Sequence, residues 1–154
     1  MTSCALRWVL AVAIFVVAVE SHARDPGRDH DQAARDAVAE LLRELHYDGP
    51  PPAITWVSAH EVVEVCGCTV GADRRWAIYR KNTAYLSRAL NLADPFDRSV
   101  LLHELVHHIQ WIASGPAADC HEWHRREVLA HATQNAWLMD HGSGQRVIFI
   151  GTCR

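Results

Sequence analysis

The sequence contains no run of basic residues, and its formal net charge is only −3 over 154 residues. Proteins that bind nucleic acid concentrate Lys and Arg on one face, so this composition predicts no nucleic-acid partner. Internal repeats and low-complexity tracts are also absent, which excludes a repeat architecture. The 154 residues fit one small domain once any processed segment is removed.

Long apolar runs are missing except at the N-terminus, and that run, Trp8–Val19, is too short to cross a bilayer comfortably. Arg7 precedes it, and the small-x-small sequence of residues 21–23 follows it, as at a cleavage site. The pattern predicts a signal peptide over residues 1–23, followed by a single domain over residues 24–154. We therefore expect a secreted or periplasmic protein with no stable membrane association after cleavage; a retained N-terminal anchor is the alternative.

Few cysteines remain once Cys4 leaves with the signal: Cys66, Cys68, Cys120 and Cys153. An even number in an oxidising compartment predicts two disulfide bonds. A bond between Cys66 and Cys68 would close a strained ring, so each is expected to pair with Cys120 or Cys153, in an order that stays open. No CxxC pair is present, and a metal site built from these cysteines is therefore the weaker interpretation.

The pattern of elements predicts an α+β fold with helices around a small sheet. Apolar periodicity predicts a helix before the linker-like sequence DGPPP, and β-branched and aromatic residues predict strands after it. Capping and stop signals, including Asp94, Pro95 and Gly115, delimit a long helix. The predicted helices are 29–47, 58–65, 95–114 and 121–139, and the predicted strands are 53–57, 76–80, 83–87 and 146–153.

The long helix carries the pattern HExxH as His103, Glu104 and His107. Residues four apart lie on one helix face, so two imidazoles can converge on one ion. Zinc suits such ligands, and a catalytic site leaves a fourth position for water, whose proton Glu104 can take as general base. The alternative is an ordinary amphipathic helix whose polar face, which also includes His108 and Gln110, is solvated.

A third ligand is required, and the metzincin continuation is absent because Gln110 and Ala113 replace its glycine and histidine. Glu127 lies twenty residues after His107, beyond a helix break, which is enough chain for an antiparallel return. Its stripe of helical neighbours includes Trp123, Ala130 and Leu138 and is expected to face inward. A buried carboxylate needs a partner, which is either the metal or a salt bridge to an arginine.

The sequences HELVHHIQ and REVLAHATQ together resemble the gluzincin metallopeptidases. More narrowly, they resemble small secreted bacterial proteins of unknown function that have HELVHxxQ and ExxAxxxQ helices, over roughly residues 54–140. The resemblance implies a minimal zincin-like domain with one zinc ion per chain. It implies His103, His107 and Glu127 as ligands and Glu104 as base. His131 departs from the pattern, since an aromatic residue such as tyrosine is expected there.

The sequence thus predicts an exported zinc-dependent hydrolase, with a metallopeptidase acting on peptides or proteins as the favoured class. His131 is the candidate second catalytic residue, either stabilising a developing oxyanion or supporting a ligand. Gln110 and Gln134 are expected either to bridge the two helices or to support the ligands. The hairpin strands either bind an extended substrate or only complete the sheet.

Two other interpretations stay open. One is a disulfide-stapled binding module whose structural zinc has a fourth protein ligand, His131 or His124. The other is a histidine-rich surface that buffers metal. The sequence leaves the oligomeric state open.

Overall fold

The computed structural model describes residues 26–66, 76–149 and 151. Seven elements occur in these residues: α1 Pro26–Glu44, β1 Ala53–Val57, α2 Ala59–Cys66, β2 Ala77–Arg80, β3 Thr83–Ser87, α3 Pro95–Ser114 and α4 Cys120–Asp140. The α+β prediction is confirmed. The predicted signal peptide lies outside the described residues. Among the helices that are described, none is long and apolar enough to span a membrane.

The sheet has the strand order β1-β3-β2, with β3 in the centre. The strands β1 and β3 are parallel, because the chain returns through α2 before it enters the hairpin. The strands β2 and β3 are antiparallel and joined by the predicted two-residue turn. Lys81 and Asn82 in this turn both have positive φ angles, 47° and 64°, as a tight hairpin requires. The strand β2 is left at the edge of the sheet, where it packs against α3.

The hydrophobic core lies between the sheet and the helices α1, α3 and α4. Its largest fully buried apolar side chains are leucines from all of these layers: Leu41, Leu86, Leu101, Leu102, Leu105 and Leu138. The helix α3 contributes three of them and contacts α1, α4 and the sheet. The site residues of α3 are therefore carried by the most enclosed helix of the fold.

The capping signals of α3 are confirmed. The Asp94 carboxylate accepts hydrogen bonds from the N–H groups of Phe96 and Asp97, and Pro95 occupies the first helical position. At the other end, Gly115 has a positive φ of 70° and its N–H donates to Trp111 O. These contacts fix the length of α3, and hence the position of its polar residues relative to the sheet.

The first helix ends earlier than predicted. α1 stops at Glu44 because His46 has a φ of 53° and closes a Schellman motif. In this motif Tyr47 N–H donates to Leu42 O and His46 N–H donates to Arg43 O. The predicted extension of the helix to residue 47 is therefore wrong.

The predicted last strand is also wrong for its described residues, 146–149 and 151, which are not in a strand. The main chain of Val147 instead bonds to a side chain of α4: its N–H donates to Asn135 Oδ1, and its C=O accepts from Asn135 Nδ2. The amide of Asn135 thus takes the place of a neighbouring strand.

The predicted disulfide pairing falls largely outside the described residues. Cys120 is the first residue of α4, and the side chains of Cys66, Cys68 and Cys153 are not among those that the structure describes. The order of pairing stays a prediction.

Candidate metal centre

Three predicted ligands, His103, His107 and Glu127, meet between α3 and α4. The Nε2 atoms of His103 and His107 are 3.0 Å apart. His103 Nε2 lies 3.4 Å from Glu127 Oε2, and His107 Nε2 lies 3.2 Å from Glu127 Oε1. One ligand atom from each residue can be chosen so that all three lie within 4.8 Å of one another.

These spacings fit a zinc ion. Ligand atoms about 2.0–2.1 Å from a tetrahedral zinc are separated from each other by about 3.3 Å. The two imidazole nitrogens and the carboxylate oxygens are 3.0, 3.2 and 3.4 Å apart, close to that value. The donor set of two imidazoles and one carboxylate also suits zinc chemically. The residues present therefore fit the metal that the sequence predicts.

The metal-free site holds a positive charge on His107 of α3 and a negative charge on Glu127 of α4. Burial lowers the pKa of His107, but the Glu127 and Glu104 carboxylates outweigh burial and raise it to about 9. Burial raises the pKa of Glu127, but hydrogen bonds from His103 and His107 outweigh it and hold this pKa well below its usual range. An ion pair between α3 and α4 thus occupies the metal position at neutral pH, and a cation has to displace its proton.

The proposed base, Glu104, is buried beside the ligands and is held by the edge strand. Tyr79 N–H in β2 donates to Glu104 Oε2 over 2.7 Å. A hydrogen bond from a main-chain N–H to a carboxylate is strong and directional. The strand β2 therefore fixes the orientation of the Glu104 side chain.

The side chain of Tyr79 belongs to a second set of hydrogen bonds, which is centred on His108 of α3. His108 is fully buried, and its Nε2 donates to Pro50 O over 2.8 Å, because a carbonyl oxygen can only accept. His108 Nδ1 is then the acceptor for the Tyr79 hydroxyl, 3.2 Å away, and this hydroxyl oxygen accepts from Asn82 N–H. These hydrogen bonds tie the hairpin turn, α3 and the loop at Pro50 together, which supports the strand that holds Glu104.

The Nδ1 atom of His107 has a hydrogen-bond partner, whereas the Nδ1 atom of His103 has none among the described residues. His107 Nδ1 lies 2.9 Å from Gln110 Oε1, and Gln110 Nε2 donates to Arg126 O in α4. No described residue bonds to the buried Nδ1 atom of His103. The ring of His103 is instead packed against that of His131, with centroids 4.3 Å apart. The two histidine ligands are thus oriented by different means.

The remaining candidate, His131, lies at the edge of the site. Its Nε2 atom is 3.8 Å from Glu127 Oε2, which is too long for a hydrogen bond. Its ring is stacked on Phe149 of the C-terminal segment, with centroids 5.0 Å apart. Burial and the neighbouring His103 lower the pKa of His131, so the ring is neutral at neutral pH. His131 does not belong to the described set of mutually close ligand atoms.

The site opens into a groove of about 990 Å³. Residues of the edge strand β2 line this groove, together with Trp76, Trp111 and Trp123. Glu104, the three ligands and His131 all border this groove. The candidate metal position is therefore accessible from it.

One alternative and one expectation about the site helices are wrong. The alternative of a solvated polar face on α3 is excluded, since His103, Glu104 and His108 are buried under α4, β2 and the loop at Pro50. Trp123 is 41% exposed rather than inward, since it lies at the groove rim and contacts Phe149. Ala130 and Leu138 are fully buried, as expected.

Sequence reasoning missed two supporting contacts, one made by the main chain of Tyr79 and one made by Ser99. Tyr79 acts through its main chain, which no residue pattern reveals. Ser99 is buried and accepts a hydrogen bond from Gln134 Nε2, which joins α3 to α4. Ser99 gave no signal in the sequence, because it follows the charged residues Asp97 and Arg98. The expectation that Gln110 and Gln134 bridge the helices is confirmed.

The fold and the site define a small α+β domain with an HExxH helix, a glutamate on the following helix and a geometry suited to one metal ion. The chain belongs to a family described as a domain of unknown function (DUF6647), which it matches over residues 36–152. Neither a curated protein nor a solved structure matches the sequence. The family description names no activity, so the resemblance to gluzincin peptidases stays a prediction.

Proposed function

We propose that the protein is an exported zinc-dependent hydrolase that cleaves peptide bonds. The observation that carries the proposal is the combination of three converging ligands with a separately held carboxylate. His103, His107 and Glu127 supply three protein ligands, which is the number that catalytic zinc sites use. Glu104 bonds to β2 and borders the same groove. A purely structural zinc site has no need of such a base.

The position of His131 supports an open site over a closed one. A structural zinc site is closed by a fourth protein ligand. His131 is the nearest candidate, but its nitrogen atoms do not join the set in which all ligand atoms are within 4.8 Å. Its ring is also held by stacking on Phe149 and by a tilted contact with the ring of His103. The fourth position is therefore left for water or substrate in this proposal.

The residues of the chain then have distinct tasks. When bound, zinc supplies positive charge that polarises a substrate carbonyl and acidifies water. Glu104 accepts the proton of the attacking water and delivers it to the leaving amine. The Tyr79 N–H keeps the Glu104 carboxylate in place for both transfers. His131, as a neutral imidazole beside the metal position, donates a hydrogen bond to the negative charge that develops on the substrate oxygen.

The edge of β2 that faces away from β3 supports an extended peptide as substrate. The bond from Ser87 N–H to Trp76 O sets the alternation of this hairpin. In that alternation the main chains of Ala77 and Tyr79 face away from β3. Tyr79 N–H is used by Glu104, and Ala77, which borders the groove, also directs its N–H and C=O away from β3. A peptide can add to this edge through main-chain hydrogen bonds.

The N-terminal sequence supports the proposal that the protein is exported. The charged residue, apolar core and small-x-small site within residues 1–23 match a secretory signal. Mass spectrometry of the protein recovered from the medium or periplasm tests it. A mature N-terminus near residue 24 is expected, and an intact N-terminus in the membrane fraction would contradict it.

Metal analysis and a peptide-library digest test the enzymatic proposal. The purified protein should contain about one zinc per chain, and Glu127→Ala should lose it, because two imidazoles alone bind zinc weakly. The wild-type protein should cleave library peptides, and Glu104→Gln should retain zinc while its rate falls about 10²–10⁴-fold. Unchanged activity of Glu104→Gln would refute the base. Stoichiometric zinc without any cleavage would favour the binding module instead.

A further inference from the structure

We infer that Gln110 is a positioning residue that holds His107 and Glu127 in place for the metal at the same time. This inference rests on the metal site of the proposed function and goes beyond it. Gln110 lies one helical turn after His107 on α3 and makes two hydrogen bonds. One reaches a ligand, and the other reaches the helix that carries the next ligand.

The contacts of Gln110 determine its orientation and the proton position on His107. Arg126 O can only accept, so the NH₂ group of Gln110 faces it. The amide oxygen then faces His107 Nδ1, and this nitrogen has to carry the proton. His107 Nε2 is consequently the nitrogen directed at His103 and Glu127. Gln110 therefore selects the ring orientation and the tautomer that a metal ligand requires.

The second hydrogen bond of Gln110 acts on α4. Arg126 directly precedes Glu127, so a bond to Arg126 O holds the turn of α4 that presents the third ligand. The Arg126 guanidinium returns a hydrogen bond of 2.7 Å to Gly115 O at the end of α3. The end of α3 and the turn before Glu127 thus hold each other reciprocally.

This arrangement is asymmetric between the two histidine ligands. His103 Nδ1 finds no hydrogen-bond partner among the described residues, so Gln110 supplies the polar support that the structure provides for an imidazole ligand. Loss of Gln110 would leave the Nδ1 atoms of both histidine ligands without a hydrogen-bond partner among the described residues. We therefore expect zinc affinity to be sensitive to residue 110.

The experiment compares two matched substitutions in the full-length mature protein. Gln110→Leu removes both hydrogen bonds with little change in volume and should weaken zinc binding about 10–100-fold, measured by competition with a chelator. Gln134→Leu is the control, because it also removes a hydrogen bond between α3 and α4 but that bond goes to Ser99, not to a ligand. Gln134→Leu should lower the Tm of the metal-free protein and change zinc affinity less than about twofold.

A conservative variant and a spectroscopic signal separate positioning from general stability. Gln110→Glu keeps an acceptor for His107 Nδ1 and should bind zinc more tightly than Gln110→Leu. In ¹H–¹⁵N spectra of the zinc-loaded protein, the His107 Nδ1 proton should be protected from exchange in the wild type and in Gln110→Glu, but not in Gln110→Leu.

The outcomes distinguish this inference from the proposed function. Equal zinc affinity of Gln110→Leu and the wild type would overturn the role of Gln110 and leave the hydrolase proposal intact. Weakening by Gln134→Leu as large as that by Gln110→Leu would also overturn it, since helix packing alone would then explain the loss. A wild-type protein that binds no zinc would overturn both.

Discussion

The two helices that meet at the candidate metal centre have almost the same length but very different surroundings. α3 has 20 residues, and the six consecutive residues from Leu101 to Val106 are all buried. α4 has 21 residues, and its buried residues are spaced along one side: Ala130, Gln134, Trp137 and Leu138. The central part of α3 is therefore enclosed, whereas α4 covers one side of it.

This difference explains how a small domain accommodates a buried polar cluster. A buried polar group is costly unless it has partners. The enclosed helix obtains its partners from three directions: Glu104 from β2, His108 from the loop at Pro50, and His107 from Glu127 of α4. The covering helix needs to supply only the carboxylate and its immediate neighbours. A site of this kind is built on one rigid helix and completed by a second.

Replacement of one leucine by alanine in each helix should give the largest difference in the free energy of unfolding. Leu105 in α3 is fully buried, and Leu129 in α4 is 56% exposed. Leu105→Ala should reduce the free energy of unfolding by about 2–5 kcal/mol, because it leaves a cavity in the core. Leu129→Ala should change it by less than about 0.5 kcal/mol. Denaturant unfolding measures both, and similar losses would show that α4 is not a one-sided cover.

Replacing His131 tests whether α4 contributes to chemistry as well as to metal binding. His131→Phe should reduce peptide hydrolysis about 10²–10³-fold, the loss expected for one oxyanion donor, while the zinc content stays near one per chain. Exposed His121 on the same helix provides the control, and His121→Phe should retain activity. Loss of zinc in His131→Phe would reassign His131 to ligand support.

The ion pair between the helices predicts a pH dependence of the metal-free protein. The pKa of His107 is raised from 6.5 to about 9, so its stabilising contribution is complete below pH 6.5 and is lost as the pH rises to 9. The lowered pKa of Glu127 gives a contribution that is present above pH 4.5 and is lost below it. The stabilisation from this ion pair should therefore be highest between about pH 4.5 and pH 6.5. It should fall by on the order of 2 kcal/mol as the pH rises toward 9.

Thermal unfolding of the metal-free protein across this range measures the effect, and Glu127→Gln should flatten it. Zinc affinity should change in the opposite direction and increase as the pH rises toward 9, since the metal competes with the His107 proton. A zinc affinity that is constant from pH 6.5 to 9 would contradict the assignment of His107.

The helix caps give the smallest expected difference. Asp94 caps two N–H groups of α3, whereas Asp119 caps one N–H group of α4. Each substitution by alanine should cost about 1 kcal/mol, with the larger loss for Asp94→Ala because the start of α3 is more enclosed. Chemical denaturation resolves such differences. A larger loss of stability for Asp119→Ala than for Asp94→Ala would contradict the view that α3 is the more enclosed helix.

The local elements were largely predictable because their signals are local. Asp94, Pro95 and Gly115 delimit α3, and the strands at residues 53–57 and 83–87 agree with the structure. The prediction of a last strand was wrong because the side chain of Asn135 forms the hydrogen bonds of the Val147 main chain. This contact joins residues twelve positions apart. The inward position of Trp123 failed for a related reason, since the helical stripe extends beyond the core to the groove rim.

The sequence by itself determined the helix that carries His103, Glu104 and His107, because a spacing of four residues places both imidazoles on one helix face whatever surrounds it. It also singled out Glu127 through residue type and distance along the chain. Only the tertiary structure decided that this polar face is buried and that Tyr79 N–H holds the base. The tertiary structure also decided that Gln110 links a ligand to the opposite helix. The physical reason is that burial and hydrogen-bond partners depend on contacts distant in sequence, which periodicity within one helix does not encode.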